Sequence, residues 1–327
     1  MRTKPFFILL IIFLLGSKIY AQPETSRLII TDGLNNSEVK ALVEQNTSLL
    51  LTALKKAKME GENLDLSNIS ISSEASKILS SLWETSIMSC PDSIINRKCL
   101  QGLQGGYQVR DIPITMEDAP KDEQRQYLVI NFTKEGKIDD IFIAVHGIMD
   151  ALYGNTVQDF VRKQKIIEFV ERFRTAYNEK NIPYLQTLFS NNAIIITGKV
   201  IKEKQNSDQV LTGNLNSERI EYVVQTKERY IERLSVVFAI NKYISVKFDE
   251  IEVTQHPRYP EIYGVTFKQD WRTTNYSDKG YVFLMIDFKN EDEPLIHVRT
   301  WQPEKFKGET LPKEQRFTLD SFTRIAR

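Results

Sequence analysis

Cysteine and histidine are scarce in this 327-residue chain, two of the first and three of the second. That scarcity removes whole classes of chemistry. His146, His256 and His297 stand at no metal-ligand spacing, and neither His-Glu-x-x-His nor Cys-x-x-Cys occurs, so no metal site is expected. No Gly-x-Ser-x-Gly is present to mark a nucleophile elbow. Glycine clusters at Gly102-Leu103-Gln104-Gly105-Gly106, but no Gly-Lys-Ser/Thr follows and the dinucleotide spacing is missing. The cluster reads as a turn, and no cofactor is expected. Net charge is lacking too: 43 Lys and Arg balance 43 Asp and Glu, where a nucleic-acid binder would show a basic surplus or stripe. Beyond residue 21 no apolar run is long enough to span a bilayer, so no integral membrane segment is expected in the mature chain.

What is present begins with a leader. Arg2 and Lys4 precede an apolar run from Phe6 to Leu15, Gly16 breaks it, and Ile19-Tyr20-Ala21 ends in a small residue before Gln22. Residues 1–21 therefore read as a cleavable signal peptide. A membrane anchor is the other reading, but it needs about 20 apolar residues. Cys90 is the first cysteine, which excludes a lipid-modified N-terminal one. The expected destination is the periplasm or the exterior. Cys90 and Cys99 would meet an oxidising compartment there, and Pro91-Asp92 between them favours a turn. A disulfide closing this loop would add about 2–3 kcal/mol; two separate buried thiols are the alternative.

The hydrophobic share of 41% is ample for packed cores, and the length suggests about two domains. Residues 22–36 read as an irregular leader containing Leu28-Ile29-Ile30. A helix follows from Asn36-Ser37 to Gly61, with a second at Ser73–Leu82. Strands are predicted at Trp83–Ser89, Tyr107–Thr115, Tyr127–Thr133 and Ile138–Val145. After a linker at 147–156, capped by Asn155-Thr156, a helix with an apolar stripe runs to about Lys180. A short helix from Asn181, a strand at Ala193–Ile201, a polar stretch and a helix at Thr226–Ala239 come next. Strands at Tyr243–Thr254, Ile262–Arg272, Tyr281–Phe288 and Leu295–Trp301 close the pattern. Strands gathered after helices indicate an α+β fold with an antiparallel sheet. YLVINFTKEGKIDDIFIAV at 127–145 echoes YVFLMIDFKNEDEPLIHV at 281–298, which points to two copies of one plan.

The run FVERFRTAYNEKNIPYLQTLFSNNAIIITGK, residues 169–199, resembles the opening of NTF2-like (SnoaL/ketosteroid-isomerase-like) domains. Asn181, Leu185, Leu188, Phe189, Asn192 and Ala193 fall on that pattern, and LIHVRTWQP at 295–303 resembles the family's last strand. The resemblance covers about 157–303 and implies a cone-shaped domain, a curved sheet wrapped on helices and often enclosing a pocket. The expected organisation is a signal peptide (1–21), a divergent N-terminal cone (22–146), the linker, the C-terminal cone (157–303) and a docked tail (304–327). In the family's isomerase branch a Tyr on the first helix and an Asp on the first strand do the chemistry. Those positions fall on Phe173 and Thr197, so no catalytic residue is assigned.

The richest polar set lies on the last strands. Alternation puts His297, Arg299 and Trp301 on one face. Tyr281 and Asp287 share a face of the neighbouring strand, and Trp271 lies near the end of the one before. Converging, these six would line a ligand pocket of cation, imidazole and aromatic walls. The same residues could instead form the solvated side of the sheet or a homodimer surface. The expected role is a non-catalytic module binding a small molecule or an envelope protein. The alternative is an isomerase, dehydratase or hydrolase using His297 or Asp287 as acid or base.

Overall fold

The computed structural model describes residues 25–102, 105–145, 160–202 and 218–322. The predicted signal peptide, His146, the linker at 147–156 and the last five residues lie outside the described residues. The N-terminal half runs β1 (Arg27–Asp32), α1 (Ser37–Glu60), α2 (Ser73–Thr85), β2 (Met88–Ser89), β3 (Ile94–Gln101), β4 (Tyr107–Met116), β5 (Arg125–Phe132) and β6 (Ile138–Ile143).

Local chemistry sets the helices. The Asn36 side chain accepts from the amides of Glu38 and Val39 at the start of α1, and Gly61 ends it at φ +67°. In α2 the buried stripe Ala75, Leu79, Leu82 continues to Thr85. The predicted strand Trp83–Ser89 is therefore corrected: its first three residues are helical and only β2 is paired as a strand. β1 and β3 were not expected. They pair in parallel, Leu28 opposite Ile95, and bury both side chains. A pairing between such distant segments leaves no mark on a local apolar period.

The order β1-β3-β4-β5-β6, with β2 also on β4, separates the cysteines. Ser89 lies opposite Thr115 of β4, and Cys99 opposite Val109. At about 3.3 Å per residue the two cysteines are roughly 15 Å apart along β4, and a disulfide needs Cα atoms within about 7 Å. Cys90 and Cys99 are free, buried thiols, which corrects the expected bridge.

The C-terminal half runs α3 (Phe160–Asn178), α4 (Ile182–Leu188), β7 (Phe189–Lys202), β8 (Glu218–Gln225), α5 (Lys227–Ile240), β9 (Ile244–Gln255), β10 (Ile262–Thr273), β11 (Ser277–Asp287) and β12 (Leu295–Pro303). Its sheet has the order β8-β7-β12-β11-β10-β9. That order sets the first strand beside the last, so β12 and β7 are parallel and the sheet is mixed rather than antiparallel. β8, read as part of a polar stretch, is an edge strand with Val223 and Val224 exposed. Register shifts at Thr266/Lys268, Met285/Ile286 and Ile296/Val298 bend the strands. The concave face packs on α3 and α5 through Phe173, Tyr177, Phe238, Phe248 and Phe267. The α+β class and the helix-filled curved sheet are as expected. The echoed segments are both hairpins, β5–β6 and β11–β12.

The tail forms a short hairpin, β13 (Lys305–Phe306) with β14 (Glu309–Thr310), and two single turns of 3-10 helix. Leu319 and Phe322 cover Phe283, Met285 and Val298, with Phe322 stacked on Phe283 at 5.4 Å. The convex face thus carries the chain's own tail.

α3 has two working sides. One is apolar and fills the C-terminal sheet. The other meets the face of the N-terminal sheet turned away from α1 and α2. Arg110 donates to Glu171 at 2.6 Å, and the Val145 amide donates to the same oxygen at 2.9 Å. Arg172 pairs with Asp140 at 2.6 Å. Arg174 donates to the Val246 and Ala144 carbonyls, each at 2.7 Å, and to Gln126 at 2.8 Å. Glu171 and Arg174 of this helix are buried between the two halves, and Arg172 is partly exposed.

Candidate ligand site on the concave face

Strand alternation inside the C-terminal sheet is plain from its partners. Val282, Leu284 and Ile286 belong to the concave core, whereas Phe283 and Met285 lie under the tail. The register sets Arg299 opposite Leu284 and Trp301 opposite Val282, on the concave side. Trp271 joins them there, edge-on to Tyr177 with ring centroids 5.7 Å apart. The Trp301 ring lies over Gly280, where a Cβ would come within 2.5 Å of it; only glycine leaves room for the indole.

The other three candidates lie elsewhere. Tyr281 is on the convex side, with the Arg316 guanidinium 3.4 Å from its ring centre. Asp287 and His297 face each other at 3.4 Å near the hairpin end, an ion pair when the imidazole is protonated. Both are partly exposed. Three of the six expected residues therefore come together: Tyr281 and Asp287 alternate with the concave residues of β11, and His297 is an extra residue of β12, between Ile296 and Val298, that faces no residue of β11 and breaks the alternation to Arg299.

Sequence reasoning missed the partners on the helices. The Tyr177 hydroxyl of α3 and the Tyr230 hydroxyl of α5 are 2.5 Å apart. The Arg299 guanidinium lies 5.0 Å from the Tyr230 ring centre and beside the Tyr177 hydroxyl. Tyr177 stood in the apolar stripe as one more core residue; only a map of the helix onto the last strand would have singled it out.

Arg299 is 6% exposed, and its Nε has no hydrogen-bond partner. Burial disfavours its charge, but the Tyr230 and Tyr177 oxygens outweigh that and raise its pKa. No carboxylate contributes. Burial likewise pushes the Tyr177 hydroxyl well above its ordinary value, so it stays protonated, accepting from Arg299 and sharing a hydrogen bond with Tyr230 in which either hydroxyl can donate. Gln269, on the concave side by alternation with Phe267 and Trp271, is also buried with its Oε1 unpartnered. Buried polar groups are normally satisfied, and an unpaired buried cation is costly. The arrangement is a set of fixed donors beside two half-buried indoles.

Of the isomerase positions, Phe173 is fully buried among aromatic rings. Thr197 lies within 3.5 Å of the Gln225 amide. Neither supplies a base. Among the described residues no group of three or more His, Cys, Asp or Glu could hold a metal, and no helix is long and apolar enough to cross a membrane.

No family model matches the chain, and no curated protein matches it. Among solved structures it is similar to Bd1075 of Bdellovibrio bacteriovorus, at 16% identity over 51% of this chain and 47% of that one, with a TM-score of 0.32. It is similar to the helical cell shape determining protein Pgp2 of Campylobacter jejuni, at 14% over 42% and 40%, with a TM-score of 0.29. It is also similar to a member of the NTF2-like family from Streptomyces avermitilis, at 8% over 43% and 94%, with a TM-score of 0.31. The chain spans less than half the length of the first two. At such identities and scores, function is decided by side chains and not by likeness.

Proposed function

We propose that the protein is an exported small-ligand-binding module. Its ligand places an anionic or carbonyl oxygen on Arg299 and a flat apolar body against Trp271, Trp301 and Tyr230. The observation that carries this reading is the buried guanidinium without a carboxylate partner and with an unpartnered Nε. Export is supported by the three-part leader at residues 1–21. Two of the chain's three tryptophans line the site, so their fluorescence reports on it. Titration with benzoate and indole-3-acetate should give a saturable change that Arg299→Leu abolishes. No change in the parent protein, or the same change in Arg299→Leu, sinks the proposal.

Turnover of such a ligand is the second reading. Arg299 with the Tyr177–Tyr230 pair forms donors suited to a developing negative charge. The acid–base residues first considered, His297 and Asp287, pair with each other near the hairpin end. A base would have to come from the ligand or from water.

A further inference from the structure

A second site lies between the two halves, separate from Arg299. A cleft of about 700 Å³ opens along the outer part of α3. Its floor is the α3 stripe Lys165, Glu168, Arg172, its other wall carries Tyr107 and Asn131 of the N-terminal sheet, and Tyr184 of α4 closes one end. The volume is in the range of small-ligand pockets, which favour domain interfaces.

The three charges of the stripe are held in place by different partners. Lys165 and Glu168 are one helical turn apart yet do not pair. The ammonium of Lys165 is held at the rim by Glu291 at 2.7 Å. Glu168 uses one oxygen, Oε1, for both the Asn131 amide at 2.7 Å and the Gln108 amide at 3.4 Å. Gln108 in turn accepts from Arg110, whose guanidinium is fixed by Glu171. Glu168 Oε2 is thus left for the cleft, on a carboxylate whose orientation is set from the buried interface. Arg172 gives Nη2 to Asp140 and lies over the Phe142 ring at 5.5 Å. Its side chain remains 35% exposed, with further N–H donors available. Positive, negative and positive charges therefore line roughly 10 Å of one helix face, beside the rings of Tyr107 and Tyr184.

We propose that this cleft binds a small zwitterion, a free α-amino acid or a short peptide with both ends unblocked. The ligand ammonium sits on Glu168, its carboxylate on Lys165 or Arg172, and its body against the tyrosines. Fixed opposite charges a turn apart match a ligand whose own opposite charges are a few ångströms apart. Charge-assisted hydrogen bonds of this kind are the strong ones.

The test is calorimetric titration of the purified protein with L-phenylalanine, trialanine and N-acetyl-trialanine amide. Saturable binding of either zwitterion, weakened at least about tenfold in the blocked peptide, is expected. L-phenylalanine and trialanine separate a free amino acid from an unblocked peptide, whose two charges lie farther apart. Glu168→Gln, which keeps an acceptor for Asn131, should lose the preference for a free ammonium, and the rim variant Lys165→Met should weaken both zwitterions. Arg299→Leu should leave this binding unchanged, which separates it from the concave site. Equal binding of blocked and free peptides, or no saturable binding by either zwitterion, overturns the proposal.

Discussion

Replacing Arg110 by methionine tests how the two halves are joined. Glu171 has no exposed side-chain surface, and its Oε2 already lacks a partner. Its Oε1 takes one bond from Arg110 and one from the Val145 amide. In Arg110→Met the carboxylate keeps a single backbone donor and loses its hydrogen-bonded counter-charge, with only Arg174 acting on it electrostatically. Breaking a buried pair on one side costs about 3–5 kcal/mol, and a protein unfolding as a unit of 150–250 residues loses roughly 2–4 °C per kcal/mol. The expected fall in Tm is on the order of 10 °C. Burial already pushes the Glu171 pKa up, and Arg110 opposes it; removing Arg110 raises it further. A folded-state pKa above the unfolded value gives stability at low pH that is lost as pH rises. The variant should therefore lose more at pH 8 than at pH 5. The double variant Arg110→Met, Glu171→Met should recover most of the loss, since apolar replacement of both partners is often neutral. Urea unfolding at both pH values reads all three. A loss below about 1 kcal/mol, as for a solvated pair, or a pH-independent one, would refute the reasoning.

Asp140 and Glu179 have pKa values raised chiefly by burial, to about 6 and about 7. Their stabilising contribution is complete below the ordinary carboxylate range and lost as pH rises through 6 and 7, so Asp140→Asn should flatten the decline in unfolding midpoint between pH 5 and pH 8; an unchanged slope would contradict this. Burial pushes the Cys99 thiol up to about 11. A thiol reagent should react slowly with the native protein and titrate two thiols in denaturant without reductant, whereas finding none would mean a bridge. Phe322→Ala removes the ring stacked on Phe283 and should cost about 3 kcal/mol; a native-like melting curve would show that the tail is not docked.

Much of this was legible in the residues. Asn36 and Gly61 mark both ends of α1, and the closing strands follow from β-branched and aromatic runs. What escaped was non-local. β1 and β3 exist because they pair with each other, and β8 because it lies against β7; neither cause is written in a window of ten residues. The site was half legible for the same reason. Arg299, Trp301 and Trp271 share a face by period two, but one shifted residue near Val298 removed His297 from their company. Tyr177 and Tyr230 come from helices whose approach to β12 only the fold reveals. The charges of α3 carried no signal because nothing in their spacing tells of a second sheet arriving on that side.

The double duty of α3 bears on how the chain can assemble. Synthesis completes β6 at Ile143, whereas the helix that covers it ends at Asn178. Until then one side of the newborn N-terminal sheet is bare, presenting Val129 and Phe142, both fully covered later, among Gln108, Arg110, Asn131 and Asp140. The first half emerges from the ribosome as an incomplete object. Neither half can be excised without stripping desolvated charges of their partners, so a severed fragment should be sticky and short-lived, and the chain should pass or fail quality control as a whole.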